Sequence, residues 1–216
     1  HPLQVTTEIT VQNISDGITL QQEIRKKGEG AYSPLGQKPV KQTNVQTVFP
    51  VQEICLWEPE NPHLYEIRTS LWKNGEMIDA RVDITGFREA GFRKDGFYLN
   101  GKKLRLRGLN RHQSYPYVGY AAPASMQIFD ADILKKELGV NAVRTSHYPQ
   151  SQDFIRRCDE IGLLVFTEFP GWQHIGDEEW KRQAVQNLKE MIVQYRNHPS
   201  IILWGVRINE SQDDDV

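Results

Sequence analysis

A β-sandwich followed by an α/β domain with a parallel sheet is the fold this chain predicts. Two observations carry the expectation. Residues 1–87 hold short alternating apolar and polar runs punctuated by turn signals, with no helical periodicity. Beyond them the period changes. Strand-like and helix-like segments alternate, and the strands are apolar along their length, as strands covered on both faces must be. The two domains are therefore expected at 1–87 and 88–216.

In the first half, strands are expected over 5–13, 17–24, 44–51, 63–72 and 76–87, the last following the hairpin dipeptide Asn74-Gly75. Residues 28–39, with three glycines and two prolines closely spaced, read as loop. In the second half, residues 97–102 read as a tight hairpin and 103–110 as a strand. A helix over 125–139 places Ile128, Ala131, Leu134 and Leu138 on one stripe and stops at Gly139. Strand 140–146, helix 151–162 capped by Ser151, strand 163–169, helix 177–197 and strand 201–210 complete the series. In the third helix Trp180, Ala184, Leu188, Met191 and Tyr195 stay in register. A (β/α)8 barrel and a doubly wound open sheet both fit this order. No glycine fingerprint follows any strand, which argues against a dinucleotide-binding sheet.

With 26 Lys and Arg against 28 Asp and Glu, the chain has neither a basic nor an acidic excess. No nucleic-acid partner or membrane surface is indicated, and no run approaches the ~18 apolar residues of a membrane span. No secretion signal is visible, and the compartment stays open between cytoplasm and periplasm. Cys55 and Cys158 lack any metal-type spacing and read as two buried thiols. His63, beside Pro62 at a strand start, reads as a surface or packing residue.

Each of the four apolar strands ends in polar residues: Asn110-Arg111-His112-Gln113, then Arg144 to Tyr148, Thr167-Glu168, and Asn209-Glu210. Parallel α/β folds bind ligands outside the carboxyl ends of their strands. Four such ends on one rim have the composition of a catalytic mouth. A carboxylic acid there, near apolar groups, can hold its proton at neutral pH and donate it, and Asn209 can orient a hydroxyl. Two carboxylates flanking a sugar bond would hydrolyse glycosides. No Ser or Cys has a His and an acid at recognisable spacing. His112, His147, Glu168 and Glu210 come from four strands without local ligand spacing, so no metal and no cofactor is expected.

The run "NAVRTSHYPQSQDFIRRCDEIGLLVF" at 141–166 resembles the first signature of glycoside hydrolase family 2, and "RNHPSIILWGVRINE" at 196–210 resembles the second. "RGLNRHQ" at 107–113 resembles the β-galactosidase form of the first barrel strand. "LWEPENPHLYEI" at 56–67 resembles the strand pair closing the domain before the barrel. The resemblance implies an immunoglobulin-like β-sandwich followed by the first half of a TIM barrel, about four strands, of a retaining β-glycosidase. It makes Glu210 the general acid/base and Asn209 the ligand of the sugar 2-hydroxyl. His112 and His147 become substrate contacts, and Arg144 a neighbour of the nucleophile. Arg111, Trp204 and Glu168 stay open between site and scaffold.

Two departures from the family pattern carry expectations. Trp172 stands where β-galactosidases place the Glu of a Glu-x-His magnesium pair, His174 being retained, so that metal site is not expected. The family's nucleophile Glu lies on a later strand, beyond residue 216. The chain is thus expected to be a fragment that alone hydrolyses little or nothing, and to self-associate through unpaired barrel strands. Its substrate would be a carbohydrate of β-galactoside type. A β-glucuronidase or β-mannosidase of the same family is the alternative within the class. A non-catalytic carbohydrate-binding or assembly module is the alternative outside it.

Overall fold

The structure, a computed structural model, describes residues 3–171 and 174–206. The chain divides into two compact units: His1–Cys55 with His63–Phe87, and Leu56–Pro62 with Arg88–Val216. Among the described residues no helix is long and apolar enough to cross a membrane.

The first unit is all β. Strands β1 (Gln4–Thr10) and β4 (Asn44–Pro50) pair antiparallel, and β3 (Ser33–Pro39), β2 (Thr19–Lys26), β5 (Tyr65–Lys73) and β6 (Glu76–Thr85) form a second sheet in the order β3-β2-β5-β6. Alternation along β2 buries Leu20, Gln22 and Ile24. Leu20 joins an apolar cluster with Val11 and Val45, and Ile24 joins another with Val5 and Ile67. Gln22 lies between them, 1% exposed. It accepts from Thr47 at 2.8 Å and Thr7 at 3.1 Å and donates to Thr69 at 3.0 Å, so the buried amide is satisfied. Asn74 and Gly75 turn the β5–β6 hairpin with φ of 52° and 82°.

One expectation fails here. Residues 33–39, read as loop, are strand β3. Pro34 and Pro39 cannot donate to a ladder, but β3 is an edge strand paired on one side only, where proline is tolerated.

The second unit opens with an antiparallel sheet of β7 (Ala90–Arg93), β8 (Gly96–Leu99) and β9 (Lys102–Leu104). The strand expected over 103–110 is broken in two: β9 ends at Leu104, and β10 (Gly108–Arg111) begins a new sheet. The Asn141 side chain holds the gap open. Its oxygen accepts from Arg107 N at 2.7 Å and its nitrogen donates to Arg105 O at 2.9 Å. Strands β10, β11 (Ala142–Thr145), β12 (Leu164–Glu168) and β13 (Ile201–Gly205) then run parallel in chain order.

Helices α1 (Ala124–Asp132), α2 (Gln152–Ile161) and α3 (Glu178–Tyr195) connect these strands, and α1 continues through a π turn over Ile133–Glu137. Val143, Val165 and Ile201 pack with Phe154 and Ile155 of α2 and Met191 and Tyr195 of α3. Ser151 caps α2 by accepting from Asp153 N, and Asp177 caps α3 by accepting from Trp180 N. The stripe expected on α1 is shifted. Ile128 and Leu138 are 38% and 56% exposed, while Gln127, Ala131 and Leu134 are buried. A polar partner draws Gln127 inward, as shown below, and the Leu138 N to Ile133 O bond of the π turn rotates Leu138 off the face.

Residues 56–62, whose sequence resembles a strand pair of the sandwich, belong to the second unit. Trp57 is fully buried there and donates its indole N–H to Asp159 O at 2.8 Å. Gly162 has φ of 71°, and a Cβ on it would stand 2.2 Å from Pro59 O. That position admits only glycine on both counts. Cys158 is buried, and burial pushes its thiol pKa well up, whereas Cys55 is half-buried rather than buried. The last expected strand is described as far as residue 206, so Asn209 and Glu210 lie outside the described residues.

Candidate active site

Register assigns the faces of the parallel sheet. Leu109, Val143 and Val165 align across neighbouring strands, and the last two pack on the helices. Alternation puts Asn110, Arg144, Phe166 and Leu203 on the opposite face, with Glu168 two residues further along β12. This second face corresponds to a barrel interior, and its carboxyl end carries the site.

Glu168 is the centre of that end. Its side chain is 1% exposed. Arg144 Nε donates to Oε1 at 2.5 Å, and His147 Nδ1 stands 3.0 Å from Oε2. A buried carboxylate without partners is strongly disfavoured, and here both oxygens are engaged by donors. A carboxylate only accepts, so Nδ1 of His147 carries a proton in this contact. Gly205 makes room for this arrangement. A Cβ there would lie 2.8 Å from Glu168 Cγ and 2.8 Å from the Phe166 ring. The Arg144 guanidinium also sits 5.6 Å from the Phe166 ring centroid.

The loop after β10 joins the same end. The His112 ring meets His147 edge-on at 5.8 Å, and its Nδ1 lies 3.4 Å from Tyr148 Oη. Gln113 N donates to Tyr148 Oη at 3.2 Å. Burial, the largest influence, pushes the Tyr148 phenol above its usual pKa, so it stays protonated at neutral pH and can donate to His112 while accepting from Gln113. Arg144, His147 and His112 are thus brought together.

The residues left open resolve as follows. Arg111 is 5% exposed and points to the helix side, 4.0 Å above the Phe154 ring. It donates to Asp130 at 2.9 Å, to Gln127 at 2.7 Å and to Gln150. It is scaffold, and it explains the inward turn of Gln127. Trp204 aligns with Thr167 and packs against the helix-side core, so it too is scaffold. Glu168 belongs to the site as the group that holds two others. His174, whose ring meets Trp180 edge-on at 5.4 Å, is described, while Trp172 and Gln173 are not.

Sequence reading overlooked an aromatic extension of the site. Tyr120 packs edge-on against Tyr148 at 5.8 Å, and Tyr148 lies 5.9 Å from His112. The signal was present as three tyrosines in "YPYVGY", directly after the polar end of β10.

Comparison with known proteins agrees with this architecture. The model "Glycosyl hydrolases family 2, TIM barrel domain" matches residues 91–215, and "Glycosyl hydrolases family 2" matches residues 2–88. The chain belongs to glycosyl hydrolase family 2. Within it, the chain is 61% identical over 179 residues to a beta-galactosidase of Thermoanaerobacterium thermosulfurigenes, covering 83% of this chain and 24% of that one. It is 52% identical over 213 residues to a beta-galactosidase of Thermoanaerobacter pseudethanolicus, covering 98% of this chain and 29% of the relative. Among solved structures, an FMN-binding beta-glucuronidase from Facaelibacterium prausnitzii L2-6 superposes with a TM-score of 0.84 at 30% identity, covering 99% of this chain and 35% of that one. The chain therefore spans less than a third of the length of these two curated relatives.

Replacing Glu168 with Gln removes the charge that faces Arg144 and the acceptor that fixes His147. Arg144 keeps partial solvent, its side chain being 28% exposed, so the expected loss of stability is about 2 kcal/mol rather than the larger value of a fully buried pair. Urea denaturation monitored by tryptophan fluorescence measures it.

Proposed function

We propose that this chain is the part of a β-galactosidase that holds the sugar and supplies the proton. One observation carries the reading: Arg144, His147 and His112 converge at the carboxyl end of a parallel sheet around the buried Glu168 carboxylate. Such a cluster presents several donors and an imidazole nitrogen to a polyhydroxylated ligand. It leaves Glu168 neutralised and unsuited to attack. By the resemblance of residues 196–210 to the second family signature, Glu210 supplies the acid/base carboxyl and Asn209 the amide for the 2-hydroxyl. The nucleophilic carboxylate comes from outside these residues, ~5–5.5 Å from Glu210 as retention requires. Galactose is preferred over other sugars because the two relatives with the highest identities quoted above bear that name.

A β-glucuronidase is the second reading, and the structural likeness to one favours it. The run at 107–113 that resembles the β-galactosidase form includes Arg111, which is buried on the helix side and does not reach the cluster. A glucuronidase must bind a sugar carboxylate, and a comparison of galactoside with glucuronide turnover separates the two.

In the full-length protein, Glu210→Gln should lower hydrolysis of β-galactosides with poor leaving groups by about 10²–10⁴-fold, with a much smaller effect on galactosyl fluoride, whose departure needs no proton. Equal losses on both would remove Glu210 from the acid/base role. The 216-residue chain alone should be inactive and should associate through the outer edges of β10 and β13, which have no strand partner among the described residues. Sedimentation velocity across a concentration series checks this, and a monomer throughout would contradict it.

A further inference from the structure

The four-stranded sheet of the first unit has two edges, and the sequence treats them differently. At one edge stands β3. Pro34 and Pro39 remove two of its donors, and Lys38 Nζ reaches across to Gln46 O of β4 at 2.7 Å. The Phe49 ring lies over it, 2.4 Å from where a Cβ on Gly36 would stand. That edge is blunted and covered. At the other edge stands β6, paired with β5 on one side and with no strand on the other among the described residues. It holds no proline. Its Met77, Ile78, Val82 and Ile84 are between 42% and 55% exposed. A long edge strand that carries exposed apolar residues is a template for another strand.

The strand that fits this edge is a second copy of itself. The register against β5 runs regularly from Asp79 to Thr85 and shifts only at the hairpin end, between Met77 and Asp79. Val82 is the centre of the regular stretch. Turned about a two-fold axis through Val82, the stretch pairs antiparallel with its own copy. Val82 then meets Val82, Arg81 meets Asp83, and Ala80 meets Ile84, each pair occurring twice except the first. Side chains alternate between faces, so one face gains an unbroken apolar row and the other a row of alternating charges. Opposite charges set directly across antiparallel strands stabilise the pairing, and like charges oppose it. Within one chain Arg81 Nε already donates to Asp83 Oδ1 at 2.9 Å, yet the Arg81 side chain is 80% exposed and has donors left for a second carboxylate. The charges also select the register. Moving the axis to Arg81 or to Asp83 sets like charges face to face, and moving it to Ala80 brings the irregular residue Ile78 into the ladder.

We propose that β6 is a self-recognition surface, through which two copies of the chain join edge to edge about a two-fold axis at Val82. Two four-stranded sheets then become one continuous sheet. The surface lies in the first unit and is independent of the sugar chemistry.

Sedimentation velocity of the full-length protein across a concentration series tests it. The unaltered protein should form a reversible dimer. Arg81→Asp and Asp83→Arg each place like charges opposite one another at two symmetric positions, and each should raise the dimer dissociation constant by about tenfold or more. Mixed in equal amounts, the two variants should pair with each other, because an acidic edge then meets a basic one. No effect confined to one chain produces that rescue. Val82→Cys should cross-link to its own copy on oxidation, whereas Ile78→Cys, outside the paired stretch, should not; this holds the test open if either charge variant fails to fold. A monomer throughout would overturn the proposal and give the edge to another segment of the longer chain. An oligomer indifferent to both charge reversals would also overturn it, as would a mixture that associates no better than its parts.

Discussion

The site depends on one buried carboxylate. Glu168 is almost without solvent, and it is tolerable there because the Arg144 guanidinium balances its charge and His147 engages its second oxygen. The constraint runs both ways. Arg144 and His147 have long or rotatable side chains, and each is fixed by an oxygen of the same group. The carboxylate is thus a positioning element: it sets the guanidinium plane and the imidazole tautomer on the face where a sugar would lie.

The rest of the unit is arranged to hold that group. Gly205 leaves the space that Glu168 and Phe166 fill, and no side chain could replace it without displacing one of them. Gly108 performs a similar service at the start of β10, where a Cβ would stand 2.5 Å from Ala142 O. On the helix side, Arg111 ties β10 to α1 and to Gln150 through one buried guanidinium. The two arginines therefore do opposite work from similar positions. Arg111 faces the helices and braces the sheet, while Arg144 faces the interior and meets the carboxylate.

Much of this was legible in the residues. The change of period near residue 87, the alternating strands and helices, and the polar strand ends follow from the sequence, because burial on one or both faces writes itself into spacing. What stayed hidden depends on neighbours distant along the chain. Residues 33–39 look like a loop because Pro34 and Pro39 break ladders, yet an edge position removes that objection. The strand at 103–110 looks continuous, but the Asn141 side chain replaces ladder bonds in its middle. Ile128 belongs to a credible apolar stripe, yet Gln127 is buried in its place to satisfy Arg111. Alternation alone could not decide whether Arg111 or Arg144 faces the pocket until the register showed which row the helices cover. Glu168 could not be assigned from spacing because its partners come from another strand and the turn after it.

The central claim concerns the proton on His147. Long-range proton–nitrogen correlation spectra of the nitrogen-15-labelled chain at neutral pH distinguish the two imidazole tautomers directly. The account predicts a His147 ring protonated at Nδ1 in the unaltered protein, with that preference lost in Glu168→Gln. A ring protonated at Nε2, or one indifferent to the loss of the carboxylate, would contradict it and leave Glu168 as a bystander to the site.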